Sequence, residues 1–298
     1  MVQSPQRPVC DYEGSDYRTR FWEGQGRNYE DQVERVALRR LLPKTGSTLL
    51  DIGAGFGRLA DEYEGYERIV LFDYSRTLLR EAQERLSHDQ RILYVAGDWY
   101  RMPFVGGRFD ALVQVRTIHH AADVPALLAQ LSRIAAPRGR YVLEFANKRN
   151  LKAILRYLLR RQSWSPFALD PIEFVELNFD FHPRWMRKQL TNAGFAPQTQ
   201  LAVSHFRLNL LKRLVPTNWL VHADQLLQPS GRWLQLTPSI FIACQHPREN
   251  APARGDALFA CPHCRTPLDA LENEALPCPQ CGRRWRVDRG LYDFKQAI

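Results

Sequence analysis

The sequence predicts an α/β fold, a doubly wound and mostly parallel sheet of seven strands, with a small cysteine-rich module at its C-terminal end. Short apolar runs alternate with amphipathic segments of helical period, which is the pattern of βα units. One apolar run breaks into three glycines at alternate positions, and two Cys-x-x-Cys pairs stand near the end of the chain. With 298 residues, 45% of them apolar, the chain can fill one large core and carry an accessory module.

Composition narrows the class of protein. A net charge of +9 favours an anionic partner or surface. The first residues lack the apolar core of a signal peptide, and no run approaches the roughly 18 apolar residues of a membrane span. We therefore expect a cytoplasmic protein without a transmembrane segment, in which paired cysteines hold a metal rather than form disulfides.

The elements follow in order along the first half of the chain. A helical arm over 1–43 precedes the first strand, and Pro43 and Gly46 end its helix. Each predicted strand is an apolar run closed by turn residues, and each helix shows one apolar face. The five strands are predicted at Thr48–Ile52, Arg68–Asp73, Arg91–Ala96, Arg108–Val115 and Tyr141–Phe145, with a helix from Gly57, one along Leu78–Leu86 and one opened by Asp123.

The glycine-rich turn at Leu49–Ala60 is the centre of the predicted site. Glycine lets backbone approach a ligand closely, so a strand that ends in such glycines predicts a nucleotide-type cofactor loop. A dinucleotide loop has its third glycine or alanine where this chain has Arg58. The actual spacing, Asp-x-Gly-x-Gly-x-Gly, resembles that of the class I S-adenosylmethionine-dependent methyltransferases. The resemblance implies S-adenosylmethionine as cofactor and assigns its amino-acid end to Asp51, Gly53, Ala54, Gly55 and Gly57.

Residues after the next strands extend the resemblance. Asp73 ends the second strand, where a carboxylate can accept hydrogen bonds from both ribose hydroxyls. Asp98 and Trp99 follow the third strand, and the resemblance assigns them to the adenine amino group and ring. Tyr74 and Gln114 are assigned to the same cofactor site. The structural alternatives are that Asp73 caps a helix, that Asp98 holds a turn and that Trp99 belongs to the core.

The fourth strand leads into Arg-Thr-Ile-His-His. This motif lacks the Asn/Asp-Pro-Pro-Tyr/Phe signature of amide and exocyclic-amine methyltransferases and the reactive cysteine of cytosine C5 enzymes. It resembles the broad group of quinone-type and other small-molecule methyltransferases. His119 or His120 is the candidate catalytic base, because imidazole titrates near neutral pH. Either histidine could instead only pack or cap the next helix, and Arg116 could pair with an anionic substrate or with a surface carboxylate.

Two inserts, 146–182 and 207–235, interrupt the second half of the domain. Asn147–Arg161 has leucines along one helical face and basic residues along another. It could be a lid that meets an anionic substrate, RNA or an anionic membrane surface, or a solvated helix packed on the core. A helix over Pro183–Ala193 and two last strands, Phe195–Phe206 and Leu236–Cys244, complete the methyltransferase domain at 1–245, and the strands should form an antiparallel edge hairpin.

A linker at 246–256 leads to a predicted zinc ribbon at 257–298. The four thiols of Cys261, Cys264, Cys278 and Cys281 have the spacing of a tetrahedral zinc site. Four protein ligands leave no open position, so the zinc should be structural. The segment resembles the small zinc-ribbon proteins that partner and activate methyltransferases.

The sequence thus predicts an S-adenosylmethionine-dependent methyltransferase with a fused structural zinc ribbon. The amphipathic inserts favour a small-molecule or lipid-like acceptor. The ribbon and the positive charge favour the alternative of an RNA or protein acceptor, and a catalytically silent binding module is the third possibility. The sequence does not predict an oligomeric state.

Overall fold

The structure is a computed structural model of the full chain, and it describes residues 7–14, 27–247 and 255–298. The aromatic-rich part of the predicted arm at 15–26 and most of the predicted linker lie outside the described residues.

Seven strands form the predicted sheet in the order β3-β2-β1-β4-β5-β9-β8. All neighbours from β3 to β5 run parallel, whereas β9 is antiparallel to both β5 and β8. The predicted antiparallel edge hairpin is confirmed. The strands are β1 (Gly46–Ile52), β2 (Tyr66–Asp73), β3 (Ile92–Ala96), β4 (Phe109–Gln114), β5 (Ala135–Ala146), β8 (Ala196–Val203) and β9 (Ser239–Gln245).

Helices cover both faces of this sheet, as a doubly wound topology requires. Successive strand residues point to opposite faces, so Leu50 and Ile52 join one apolar cluster while Leu49 and Leu71 join the other. Asp123 caps the helix that it was predicted to open, and Ser75 rather than Asp73 caps the helix after β2, since each accepts from a backbone N–H of the first turn. The helices flanking the sheet are α1 (Asn28–Leu41), α2 (Arg76–Arg85), α3 (Val124–Ile134) and α5 (Pro183–Asn192).

Two elements differ from the expectation. The predicted helix from Gly57 is only a 3₁₀ turn, Ala60–Tyr63, and Gly57 itself has a φ of +73°, which a right-handed helix does not allow. Strand β5 begins at Ala135, well before its predicted start at Tyr141. A register shift between Phe109 and Ala111 of β4 accommodates the irregular start of β5.

The cysteine-rich segment adds three strands to the same sheet, and its two shortest strands pair with each other as a separate antiparallel hairpin. Its last strand pairs in parallel with β3, which gives a sheet of ten strands. This covers the unpaired N–H and C=O groups of an edge strand. Phe259 packs on Phe104, and Leu258 and Phe259 belong to the main apolar core. The segment's strands are β10 (Phe259–Ala260), β11 (Pro267–Leu268), β12 (Ala275–Pro277), β13 (Arg284–Asp288) and β14 (Leu291–Ala297).

The inserts lie at the edge formed by the carboxyl ends of the parallel strands. Of the residues in α4, only Ala153 is buried, so its leucine face does not pack on the core. Among the described residues, no helix has the length and apolar character needed to cross a bilayer. The first insert contains α4 (Leu151–Leu158), β6 (Ile172–Val175) and β7 (Asn178–Asp180), and the second contains α6 (Asn209–Leu214) and α7 (Thr217–Leu227).

Gly231 fixes the second insert against the sheet, and its replacement tests this contact. A Cβ at Gly231 would lie 2.4 Å from the backbone nitrogen of Ala202 and 2.5 Å from the carbonyl carbon of Leu201. Since backbone of β8 cannot yield easily, Gly231→Ala should lower the free energy of unfolding by about 1–3 kcal/mol. Urea unfolding measures the change, with Ser230→Ala as the neighbouring control. Equal stability of the Gly231 and Ser230 variants would contradict this packing.

Candidate active site

A cavity of about 580 Å³ lies at the carboxyl ends of the parallel strands, where ligands bind in open α/β sheets. A second cavity of about 390 Å³ adjoins it and shares Gly53, Gly55, Arg116 and Thr117. The first cavity is lined by Val9, Cys10, Tyr12, Gly53, Gly55, Phe72, Asp73, Tyr74, Leu78, Gly97, Trp99, Arg116, Thr117 and His120.

Gly53 gives the loop its shape. Its φ is +72°, in the left-handed region, and its N–H donates to the carbonyl of Phe72 at 2.8 Å. A Cβ here would lie 2.4 Å from Cγ2 of Thr117. Both the backbone conformation and the space at this position therefore require glycine.

Asp73 forms part of the cavity wall at the end of β2. One of its carboxylate oxygens accepts from the N–H of Gly55 and the other from the N–H of Ser75, both at 2.8 Å. Burial raises the pKa of Asp73 above its usual value, against these backbone hydrogen bonds. The carboxylate thus holds the glycine loop in place, and each oxygen keeps a lone pair for a ligand hydroxyl.

Asp51 lies beneath the loop and lines the second cavity. Its carboxylate accepts from the hydroxyl of Tyr63 at 2.9 Å. Burial raises its pKa to about 7, although the Tyr63 hydrogen bond and the charge of Arg58 lower it. Asp51 therefore links the glycine loop to the 3₁₀ turn that follows it.

The two candidate histidines have different positions. His120 lines the first cavity, whereas His119 lines neither cavity and lies with its ring centre 4.0 Å from that of His120. Nδ1 of His120 is 2.8 Å from the carbonyl oxygen of Leu177, which can only accept, so we assign the proton to Nδ1. Nε2 then accepts from the hydroxyl of Tyr12 at 3.1 Å.

The electrostatic environment keeps both imidazoles neutral. Burial lowers the pKa of His120 below its usual value, although the hydrogen bond to Leu177 raises it. Burial, together with the neighbouring His120 and the charge of Arg116, holds the pKa of His119 well below its usual range. At neutral pH, Nε2 of His120 is therefore an unprotonated acceptor at the cavity wall.

The described part of the N-terminal arm, residues 7–14, contributes three side chains to the cavity: Val9, Cys10 and Tyr12. Glu13 fastens this segment to α2, because its carboxylate accepts from the N–H groups of Arg76 and Thr77 at 2.9 and 3.0 Å. A carboxylate is favoured at this position by the exposed N–H groups of the helix start.

The C-terminal strand β14 also reaches this region. Nζ of Lys295 lies 3.9 Å from the centre of the Tyr74 ring and 3.4 Å from the carboxylate of Glu13. Asp293 accepts from Nε of Arg76 at 2.7 Å. The arm, α2 and the cysteine-rich segment therefore meet at one wall of the cavity.

Eight residues that the sequence assigned to the site line one or both cavities, and four do not. Gly57 packs on α2, since a Cβ there would lie 2.8 Å from Leu86. Asp98 accepts from the N–H of Tyr100 and so holds a turn. Gln114 points into the core, where it accepts from the Tyr141 hydroxyl at 2.6 Å. The lining residues are Asp51, Gly53, Ala54, Gly55, Asp73, Tyr74, Trp99 and His120, and the fourth residue outside the walls is His119.

Sequence reasoning missed a buried ion-pair cluster behind the loop. Glu34 of α1 is fully buried and pairs with Arg58 at 3.0 Å and with Arg116. Arg116 therefore has a buried carboxylate partner rather than a surface one. Its φ of +59° and the hydrogen bond from its N–H to Glu144 fix the turn after β4. The bulky Arg58 within a glycine loop was the only local signal of this cluster.

The four cysteines of the C-terminal segment converge at one point. The sulfur atoms all lie within 4.8 Å of one another, with 3.7 Å between Cys261 and Cys281 and 3.4 Å between Cys264 and Cys278. Sulfurs at the corners of a tetrahedron around zinc are about 3.8 Å apart, given a Zn–S bond of about 2.3 Å. The donor set and its dimensions therefore fit a zinc ion.

Comparisons with known proteins agree with the fold. Residues 50–143 match the model of a family described as a methyltransferase domain. The ubiquinone/menaquinone biosynthesis C-methyltransferase of Paracoccus denitrificans is 32% identical over 114 residues, which cover 36% of this chain and 45% of that protein. The chain spans about a third to a half of the length of the curated relatives it matches.

Solved structures show the same architecture. A chain from the complex of the Haloferax volcanii Trm112 methyltransferase activator with a methyltransferase has a TM-score of 0.54 and 16% identity, over 78% of this chain and 98% of that chain. The [4+2]-cyclase SpnF has a TM-score of 0.52 and 16% identity, over 76% and 86%. The fold is thus the Rossmann-like class I methyltransferase fold, and its neighbours include a protein named for another reaction.

The raised pKa of Asp51 predicts a pH-dependent stability. The pKa of Asp51 is about 7 in the folded state and near 4 in the unfolded state. Between these pH values the native state binds a proton that the unfolded state does not bind. This proton stabilises the native state, and the stabilisation is lost as the pH rises through 7. From about pH 5 to about pH 8, the wild type should lose about 3 kcal/mol of stability relative to Asp51→Asn. Urea unfolding at both pH values measures this difference. Parallel pH curves for the two proteins would contradict it, and the exposed Asp61→Asn is the control.

Proposed function

We propose that this chain is an S-adenosylmethionine-dependent methyltransferase that acts on a small-molecule or lipid-like acceptor. The observation that carries the proposal is one cavity, at the expected edge of a class I sheet, that is lined both by the glycine loop with Asp73 and by a neutral His120. The similarity of the central segment to proteins named as quinone methyltransferases favours a small acceptor.

The residues present fit the cofactor. Asp73 would accept from the ribose hydroxyls, the loop at Gly53 and Gly55 would hold the amino-acid end, and Trp99 would lie beside the adenine. When bound, S-adenosylmethionine supplies a methyl group on a positively charged sulfur, which is already a good leaving group. The protein's task is then to align the acceptor and to take up its proton.

His120 is the residue we assign to that proton. Its Nδ1–H is held by the carbonyl of Leu177, so the lone pair on Nε2 faces Tyr12. An acceptor hydroxyl that replaced the Tyr12 hydroxyl would meet an unprotonated base. Tyr12 would position the acceptor or close the cavity before it enters.

Acceptor class is tested by transfer of a labelled methyl group from S-adenosylmethionine to three pools: an organic extract, total RNA and total protein from the source cells. The proposal predicts label in the organic extract. Label confined to RNA or protein would favour the macromolecular alternative, which the net charge of +9 supports. Cofactor binding without label in any pool would indicate a catalytically silent module.

The base assignment predicts a pH effect. Since the pKa of His120 is lowered by burial, kcat/KM should fall only as the pH drops below about 6.5. His120→Gln should remove this acid limb and lower kcat by about 10²–10⁴-fold. The matched control is His119→Gln, because the ring of His119 lines neither cavity. This variant should keep the fall in kcat/KM at low pH. An unchanged rate in His120→Gln would eliminate the base role.

We also propose that the C-terminal segment, 257–298, is a zinc ribbon with a structural Zn²⁺ held by Cys261, Cys264, Cys278 and Cys281. Two tight turns present the thiols, because the N–H of Arg265 donates to Cys261 and that of Gly282 donates to Cys278. Four thiolates complete a closed site, so the metal would hold β14 against β3 rather than take part in catalysis.

Metal analysis of the purified full chain tests the ribbon. We expect about one zinc per chain and its loss, with a lower melting temperature, in Cys261→Ser with Cys278→Ser. Cys10→Ser, which removes a cavity thiol outside the cluster, should retain the zinc. Zinc-free wild-type protein with the same melting temperature as the double variant would contradict the site.

A further inference from the structure

The two inserts carry most of the exposed apolar surface of the described chain. Among residues 7–14, 27–247 and 255–298, all but two of the large apolar side chains that are exposed lie within 146–182 or 207–235, the exceptions being Leu271 and Ile298. Single exposed leucines are ordinary, but a concentration in two neighbouring segments indicates a binding surface. The exposed set is Leu151, Leu155, Tyr157, Leu158, Leu159, Phe167, Leu169, Phe174, Val175, Leu208, Leu210, Leu214, Trp219, Leu226, Leu227, Trp233 and Leu234.

Helix α4 has the clearest separation of apolar and basic faces. Leu151, Leu155 and Leu158 follow one line along the helix, and all three are at least 50% exposed. Lys152 and Arg156 lie on the adjoining side and are also exposed. No acidic residue occurs from 147 to 169. The helix therefore presents leucines flanked by cations with no carboxylate of its own to neutralise them.

The two inserts adjoin each other in space. The N–H of Leu151 at the start of α4 donates to the carbonyl of Leu236 at 2.8 Å. Asn147 donates through its side-chain amide to the carbonyls of Gln235 and Thr237 at 3.0 and 2.7 Å. The exposed Trp233 and Leu234 immediately precede this junction. We call the combined exposed set of both inserts the insert surface.

The insert surface is connected to the cavity. Phe174 and Val175 are exposed at the tip of the β6–β7 hairpin. Two residues further on, the carbonyl of Leu177 accepts from Nδ1 of His120 in the cavity wall. A ligand that engaged the hairpin tip would therefore be held next to the site proposed for the acceptor.

We propose that the insert surface docks the protein on an anionic lipid bilayer. Leucine and tryptophan side chains flanked by Lys and Arg suit the boundary between acyl chains and negative headgroups, where the apolar groups insert and the cations remain at the phosphates. The charge complementarity comes from Lys152, Arg156, Arg160 and Arg213, all exposed. Membrane docking goes beyond the proposed function, because it requires neither cofactor nor acceptor.

Vesicle co-sedimentation of the full chain tests the docking. The probes are vesicles of phosphatidylcholine alone and vesicles of equal parts phosphatidylcholine and phosphatidylglycerol. The wild type should bind the anionic vesicles, and added salt should weaken the binding. Arg156→Gln with Arg160→Gln should weaken it by at least about tenfold, as should Leu155→Gln with Leu158→Gln.

Two matched controls separate docking through the insert surface from nonspecific effects of charge or hydrophobicity. Leu271→Gln removes a leucine that is 58% exposed outside the inserts. Arg187→Gln with Lys188→Gln removes two exposed cations from α5. Both controls should bind vesicles like the wild type, and circular dichroism should show all variants folded.

Absence of wild-type binding to the anionic vesicles would overturn the proposal, as would equal binding by the α4 variants. The wild type could instead sediment as a dimer and not bind vesicles, while Leu155→Gln with Leu158→Gln sediments as a monomer. That result would show that the insert surface contacts a second copy of the chain. Because vesicle binding involves no methyl transfer, these results are independent of the test of the proposed function.

Discussion

The buried pairing of Glu34 with Arg58 and Arg116 is the constraint on which the candidate site depends. Burial alone would raise the pKa of Glu34, but the charges of Arg116 and Arg58 hold it below its ordinary value. An unpaired buried carboxylate would be costly, so all three side chains must come together when the chain folds. They belong to α1, to the glycine loop and to the turn after β4. Closing the cluster therefore fixes the two segments that shape the cavity.

The cavity is built from parts that are far apart in the sequence. The glycine loop and Asp73 come from the central sheet, Tyr12 from the N-terminal arm, and Leu177 from the first insert, while Lys295 of β14 braces the outer wall. The cysteine-rich segment is thus part of the same structural unit as the cavity, because its strand completes the sheet next to β3. A metal that ordered this segment would also order Tyr74 and the arm.

The sequence was a good guide wherever a residue's role depends on its own strand or turn. The apolar runs predicted the seven-stranded sheet and placed Gly53 directly after the first strand and Asp73 at the end of the second. The sequence did not predict roles that depend on a contact with a residue far away along the chain. Gln114 accepts from the hydroxyl of Tyr141, Leu86 leaves no room for a Cβ at Gly57, and β14 pairs with β3, which lies far earlier in the sequence. Periodicity cannot encode such contacts, because they arise only when the layers pack together.

The loop at Gly53 and the carboxylate of Asp73 are the proposed binding site for S-adenosylmethionine. Isothermal titration calorimetry of the full chain with S-adenosylmethionine, on the wild type and on Asp73→Asn, tests it most directly. We expect a single site in the wild type and an affinity at least about tenfold weaker in Asp73→Asn, since hydrogen bonds to a charged acceptor are lost. Absence of binding to the wild type, or equal affinity in the variant, would contradict it.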